Sequence, residues 1–326
     1  MSFISVLLAL LIEQARPLGP RNRAHAILRA WVRWSARNFD AGKSAHGWLT
    51  WGFAVGVPST ASLLIYWLLV LTLGWAVALL WSVAVLYVTL GFRQFSFHFT
   101  QIRDALADGD EGLARDLLAR WQHTDARELP QSEIVRHVIE HSVIAAHRHV
   151  FGVLAWFSVL AAFGFGPAGA VLYRVSEFVA RYWQDGTKHR HQPVSQALQH
   201  TAGHAWRLID WIPARITAVS FAVVGSFEEA MDGWRQHERH FEGDNDALIL
   251  AATAGAVNIQ LGKTSESSAK VYDSPTVEST TATAAAHTTG KISELAHMAV
   301  IVGLVWRTVV MWILLLALLT LARLLG

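Results

Sequence analysis

Two apolar stretches stand almost back to back, "FAVGVPSTASLLIYWLLVLTL" at residues 53–73 and "GWAVALLWSVAVLYVTLGF" at residues 74–92, and neither contains a charged side chain. Each approaches the roughly 20 residues that an α-helix needs to cross a hydrocarbon layer about 30 Å thick. In lipid the backbone must satisfy its hydrogen bonds within the segment, so the pair is expected to form a helical hairpin. Its Trp and Tyr residues suit the headgroup zone. Composition extends this reading to the whole chain, which is 53% hydrophobic, only 16% charged, and carries 15 tryptophans, with a mean hydropathy of +0.31. The expectation is an all-α polytopic integral membrane protein with about four or five transmembrane or re-entrant helices, joined by amphipathic cytoplasmic ones. Absence of cysteine excludes disulfides and thiolate metal sites. A formal net charge of +2 is too small to argue for a nucleic-acid partner.

The N-terminal "MSFISVLLALLIEQARPLG" has a short apolar run without the basic start or small-residue cleavage site of a signal peptide. It reads as an interfacial or partly inserted helix. Arg16, Arg21, Arg23, Arg29, Arg33, Arg37 and Lys43 follow it and place that segment on the cytoplasmic side. The hairpin returns the chain there, and residues 93–150 read as three cytoplasmic amphipathic helices: one ending near Ala107, one from Glu111 to about Gln122, and one capped by Ser132. A third apolar block, "VFGVLAWFSVLAAFGFGPAGAVLY", is interrupted by Gly164, Gly166, Pro167 and Gly169, and either spans once or folds back as a re-entrant pair. Residues 174–206 form a loop in this reading, with Arg174, Arg181, Lys188 and Arg190. A fourth block, "WRLIDWIPARITAVSFAVVGSF", carries Asp210 and Arg215 at its mouth, where charges are costly and are either functional or an anchoring pair. Domain boundaries fall at 1–262 for a membrane domain, 263–296 for a flexible Ser/Thr/Ala-rich linker, and 297–326 for a C-terminal transmembrane helix containing Arg307.

Within "RHVIEHSVIAAHRHVFG", His137, Glu140 and His141 make the pattern H-x-x-E-H. Histidines four apart on a helix share a face and can hold one zinc ion, with the glutamate as general base. The competing account is a polar face on which Glu133, Arg136, His137, Glu140 and His141 pair charges at spacings of three and four. With 16 histidines in the chain, the pattern also arises by chance. His147 and His149 stand just before the third block, placed to bind phosphate or an axial corrin position, or else to anchor the helix that follows.

From about residue 100 to 262 the order of features resembles the CobD/CbiB family, membrane proteins of late cobalamin assembly. "RLIDWIPARITAV" is similar to that family's "DD..N.iPARltal", and "EGDNDALILAATAGAVNIQLG" to its "SPNaGwp.aamAGALgv.LGG". "FGPAGAVLYR" is similar to "GipGA..Yk", and "VIEHS" stands where the family has "IES". The resemblance implies a multi-pass protein of a bacterial inner (plasma) membrane, and an ATP-dependent amide ligation of a corrinoid carboxylate to an aminopropanol-type amine. It implies magnesium and ATP as cofactors if that activity is retained. Carried over residue by residue, Glu140, Pro213, Ala214, Arg215, Asn245, Gly255 and Gly262 match, and Asp210 stands where the family has Asn. Glu140, Asp210 and Arg215 are therefore the catalytic candidates, and Asn245, Gly255, His147 and His149 the substrate-binding ones. A corrinoid-sized pocket is expected where Glu140, Arg215 and Asn245 converge. Glu140 is then better explained as the glutamate of "IES" than as a zinc-hydrolase base.

The departures bear on activity. The family's "GDP" and "HP" have no counterpart in "LIEQARPLGPRNRA", its "AEN...D" becomes apolar and basic residues around Arg148, its "NTLDSM" falls on residues 177–182, and its paired aspartates fall on Arg207 and Leu208. Holding a metal-bound triphosphate requires carboxylates, with cations for the transferring phosphoryl group. A magnesium site would have to be rebuilt from Glu140, Glu177, Asp210, Asp244 and Asp246. The layout also resembles AmpE, a relative linked to regulation of β-lactamase induction, in its short apolar N-terminus, its hairpin, the "FHFTQIRDAL" and "LIDWIPARITAV" zones and a C-terminal span after a polar linker. That resemblance implies a non-catalytic membrane regulator.

Overall fold

The computed structural model describes residues 2–16, 23–122, 126, 128–189, 194–240, 243–262 and 291–325. The linker expected at 263–296 lies, up to residue 290, outside the described residues. All regular secondary structure among them is helical, apart from one parallel bridge between Ile259 and Lys291. The protein is an all-α membrane protein. Among the described residues three helices are long and apolar enough to cross a bilayer: Ser44–Thr72, Gln131–Ala162 and Leu295–Ala322. Shorter apolar helices cover Phe3–Ala15, Trp75–Thr89 and Asn245–Val257.

The helices form two compact units. The first comprises Met1–Phe97, Ala145–Pro213 and Val309–Gly326; the second comprises His98–Ile144 and Ala214–Thr308.

In the first unit, α1 (Ser2–Ala15), α2 (Arg23–Phe39), α3 (Ser44–Thr72) and α4 (Trp75–Thr89) precede the sequence-distant α8 (Gly152–Ala162) and α9 (Ala168–His189). The hairpin is asymmetric. Helix α3 begins nine residues before the apolar block, whereas α4 stops at 15 residues, or about 22 Å, short of a full span. Helix α2 is amphipathic: its Val32 and Ala36 join Ala54 and Val55 of α3 and Val175, Val179 and Trp183 of α9 in one buried cluster. Pro58 lies inside α3, where its ring removes the amide that would bond Ala54 four residues back. The indole of Trp31 donates to that Ala54 carbonyl at 3.0 Å, so the helix continues through the proline.

The third block is continuous with the helix before it, which the sequence reading keeps separate. Residues 131–162 form one continuous helix, α7 (Gln131–Ala146) passing through a π-turn (His147–Phe151) into α8, because no breaker separates the amphipathic part from the apolar part. The interruption at residues 163–167 then turns the chain back, and α9 packs along α8. The expected loop at 174–206 is also corrected: most of it is helical, in α9 and in the start of α10 (Gln196–Val224). Asp40 secures that start. Its carboxylate accepts from the Ser195 amide at 2.8 Å and the Ser195 hydroxyl at 2.6 Å, while the hydroxyl oxygen caps Leu198 N–H at 3.1 Å.

In the second unit, α5 (Phe92–Ala107), α6 (Glu111–Gln122) and α7 appear near the predicted bounds. Their apolar faces bury Ile102, Leu106, Leu118, Ile134 and Val138. Helices α11 (Phe227–His240) and α12 (Asn245–Val257) form a tight hairpin. The C-terminal helix, α13 (Leu295–Leu325), holds Arg307 on an exposed face, where its guanidinium donates to Gly303 O of the same helix.

Candidate functional site

In the first unit three polar side chains meet in the core. The π-turn adds a residue per turn and aims His147 at α10, and such turns recur at functional sites. His147 Nε2 lies 2.9 Å from Asp210 Oδ1, and Tyr173 O–H donates to the same oxygen at 2.7 Å. Tyr173 Oη and His147 Nε2 are 3.3 Å apart, and all three side chains are fully buried. Gly152 makes room for this arrangement, since a Cβ there would stand 2.1 Å from the Tyr173 hydroxyl. Asp210 is positioned by α10, which runs through Pro213. The Ile209 carbonyl that Pro213 leaves open accepts from Trp156 N–H at 3.0 Å.

Next to this network, Arg174 and Arg181 both pair with the buried Glu177, Arg174 at 2.6 Å. Burial pushes the Glu177 carboxyl up, but Arg181 and Arg174, with smaller help from His149 and Arg148, bring it down to about 2. His149, on the same π-turn as His147, packs its ring against Gly91.

In the second unit, Arg136 is buried and joins Glu133, Glu140 at 3.0 Å, and the Gly262 carbonyl. Glu140 Oε1 also accepts from Gly262 N–H at 2.8 Å. Glu140 therefore clasps the chain just after α12 to α7. His141 sets its ring edge-on to Trp121, centroids 4.4 Å apart, and Trp121 meets His98 at 5.6 Å. The H-x-x-E-H face is thus built of ion pairs and ring contacts, and among the described residues no three His, Asp or Glu side chains are grouped to hold a metal.

The remaining candidates have separate surroundings. Arg215 pairs with Glu238 at 3.4 Å, and Glu238 also accepts from Trp234 N–H. Asn245 is buried at the first turn of α12, whose N-terminus is capped by Asp244 through Ala247 N–H at 3.1 Å. Gly255 lies where a Cβ would meet Glu229 O at 2.1 Å, so its bareness serves the α11–α12 contact. The structure brings His147 and Asp210 together. It pairs Asp210 with His147 and Tyr173, and Arg215 with Glu238. Of the five acids considered for magnesium, Glu140, Glu177, Asp210 and Asp244 each have one of these other partners. Among the described residues these five acids are not grouped into one metal site.

Tyr173 joins the site without standing among the sequence candidates. Its one sequence signal was its place in "GPAGAVLYR", the segment similar to "GipGA..Yk".

The same connectivity can be compared with known proteins. The family model described as "CobD/Cbib protein" matches residues 3–296, nine-tenths of the sequence. This chain belongs to the CobD/Cbib family. A relative named cobalamin biosynthesis protein CobD, from Stutzerimonas stutzeri, is 29% identical over 323 residues, covering 96% of each chain. One of the same name from Chromobacterium violaceum is 32% identical over 183 residues, 55% of this chain and 54% of that relative. A third, from Leptospira interrogans, is 28% identical over 197 residues, 58% of this chain and 59% of its own. No solved structure matches the chain.

Proposed function

We propose that this chain is a multi-pass inner-membrane protein of cobalamin biosynthesis, descended from an adenosylcobinamide-phosphate synthase-like amide ligase whose catalytic site is degraded. The observation that carries the reading is the family match across residues 3–296, supported by the near full-length relative named as a cobalamin biosynthesis protein. Degradation is supported by the acids themselves: Glu140 is held by Arg136 and Gly262, Glu177 by two arginines, and Asp210 by His147 and Tyr173. Glu140, Asp210 and Arg215 stay the catalytic candidates, with Asn245, Gly255, His147 and His149 for the corrinoid. The membrane domain ends at residue 262 in this reading, before a linker and an anchoring helix.

The basic and apolar surroundings of these acids favour one second reading, a non-catalytic AmpE-like regulator that keeps the fold without the chemistry. Membranes containing the chain, supplied with cobyric acid, an aminopropanol-type amine, ATP and magnesium, separate the two. The first reading predicts slow formation of the corrinoid amide by mass spectrometry, lost in Arg215→Ala. No amide from well-inserted protein supports the regulator.

A further inference from the structure

A cavity of about 610 Å³ opens in the first unit between α2, α3, α4 and α9, within the size range of ligand sites. Its walls are almost wholly apolar, from residues such as Ile65 of α3, Val85 of α4 and Phe178 of α9. Among the described residues its ionisable lining groups are His25 and Arg174. The wall contributed by α3 belongs to a helix long and apolar enough to span a bilayer.

Its polar end is rich in cationic groups. Among the described residues Arg174 and Arg181 both pair with one carboxylate, Glu177, two guanidinium groups to one acid. His25 reports the same field: burial, then Arg174 and Arg29, lower its pKa, and Glu177 opposes them less. An apolar trough ending in cationic groups is complementary to an acyl chain attached to an anionic headgroup. We infer that this groove is a binding site for one anionic phospholipid, its chain along α3 and α4 and its phosphate at Arg174 and His25. A zwitterionic lipid offers the same chain without net negative charge, and a cation near a membrane surface discriminates between them by about fivefold.

The test is native mass spectrometry of the full chain purified in detergent, after addition of phosphatidylglycerol or phosphatidylcholine with identical acyl chains. One phosphatidylglycerol retained per chain, about fivefold or more over phosphatidylcholine, is expected. His25→Glu should abolish the preference, and Ala84→Trp, which fills the groove from an exposed position, should abolish retention. Ala61→Trp serves in its place if Ala84→Trp does not elute as folded protein. Equal retention of both lipids, undiminished retention in the filled variants, or displacement of phosphatidylglycerol by millimolar inorganic phosphate would each overturn the assignment.

Discussion

The Trp156 indole donates to the Ile209 carbonyl at 3.0 Å, the acceptor that Pro213 leaves without its helical partner. The same relation joins Trp31 to Ala54, four residues before Pro58. An unsatisfied buried carbonyl costs about 1–3 kcal/mol, so Trp156→Phe should destabilise by that amount. Pro213→Ala restores the intrahelical donor, and the double variant should recover most of the loss. Unfolding midpoints of the four proteins in detergent check this, and a double variant no more stable than Trp156→Phe would contradict it.

Gly152→Ala should dislodge Tyr173 from Asp210, because the new methyl would occupy the hydroxyl's position. Overpacking of this kind costs about 1–3 kcal/mol. Tyr173→Phe in the Gly152→Ala background should relieve part of that cost, since the clash is with the hydroxyl and its ring carbon. Thermal unfolding of the single and double variants measures it.

Arg136 is buried between two carboxylates and a carbonyl. Its replacement by Met leaves those acceptors behind and should destabilise by about 3–5 kcal/mol. Glu140→Gln keeps an oxygen for Gly262 N–H and should cost less, about 1–2 kcal/mol. Chemical unfolding that ranks the two in the opposite order would show that Glu140 is not chiefly a clasp.

Asp40 gives a pH dependence. Burial raises its pKa, but the hydrogen bonds from the Ser195 side chain and backbone and from Gly42 N–H outweigh burial and hold it below the ordinary 3.8. A carboxyl depressed in the folded state stabilises above its unfolded pKa and loses that contribution as pH falls through the folded one. The stability gap between the wild type and Asp40→Asn should therefore be constant near neutrality and shrink below about pH 4. Unfolding midpoints between pH 3 and 7 follow it.

The architecture was legible where hydrophobicity changes abruptly, as at the start of α4 and at the residue 163–167 turn. It was less legible where polarity shifts without a breaker. The passage from Ser132 to Ala162 changes from amphipathic to apolar, yet a helix tolerates that change, and only the π-turn marks it. The basic residues after Tyr173 suggested a loop, although Arg174, Glu177 and Arg181 carry the three- and four-residue spacing of a helix face. Asp210 and His147 each stood out alone as polar groups beside apolar blocks. Their pairing joins positions 63 apart, which no local periodicity encodes.

Growth on cobyric acid tests the central claim most directly. The chain is expressed in a bacterium lacking its own cobinamide-forming amide synthase, and membrane insertion is verified for the wild type and for Glu140→Gln and Arg215→Ala. The account predicts growth that is restored, slower than with a relative that keeps the acidic motifs, and lost in the two variants at unchanged insertion. No growth from fully inserted wild-type protein would contradict it and leave the regulator.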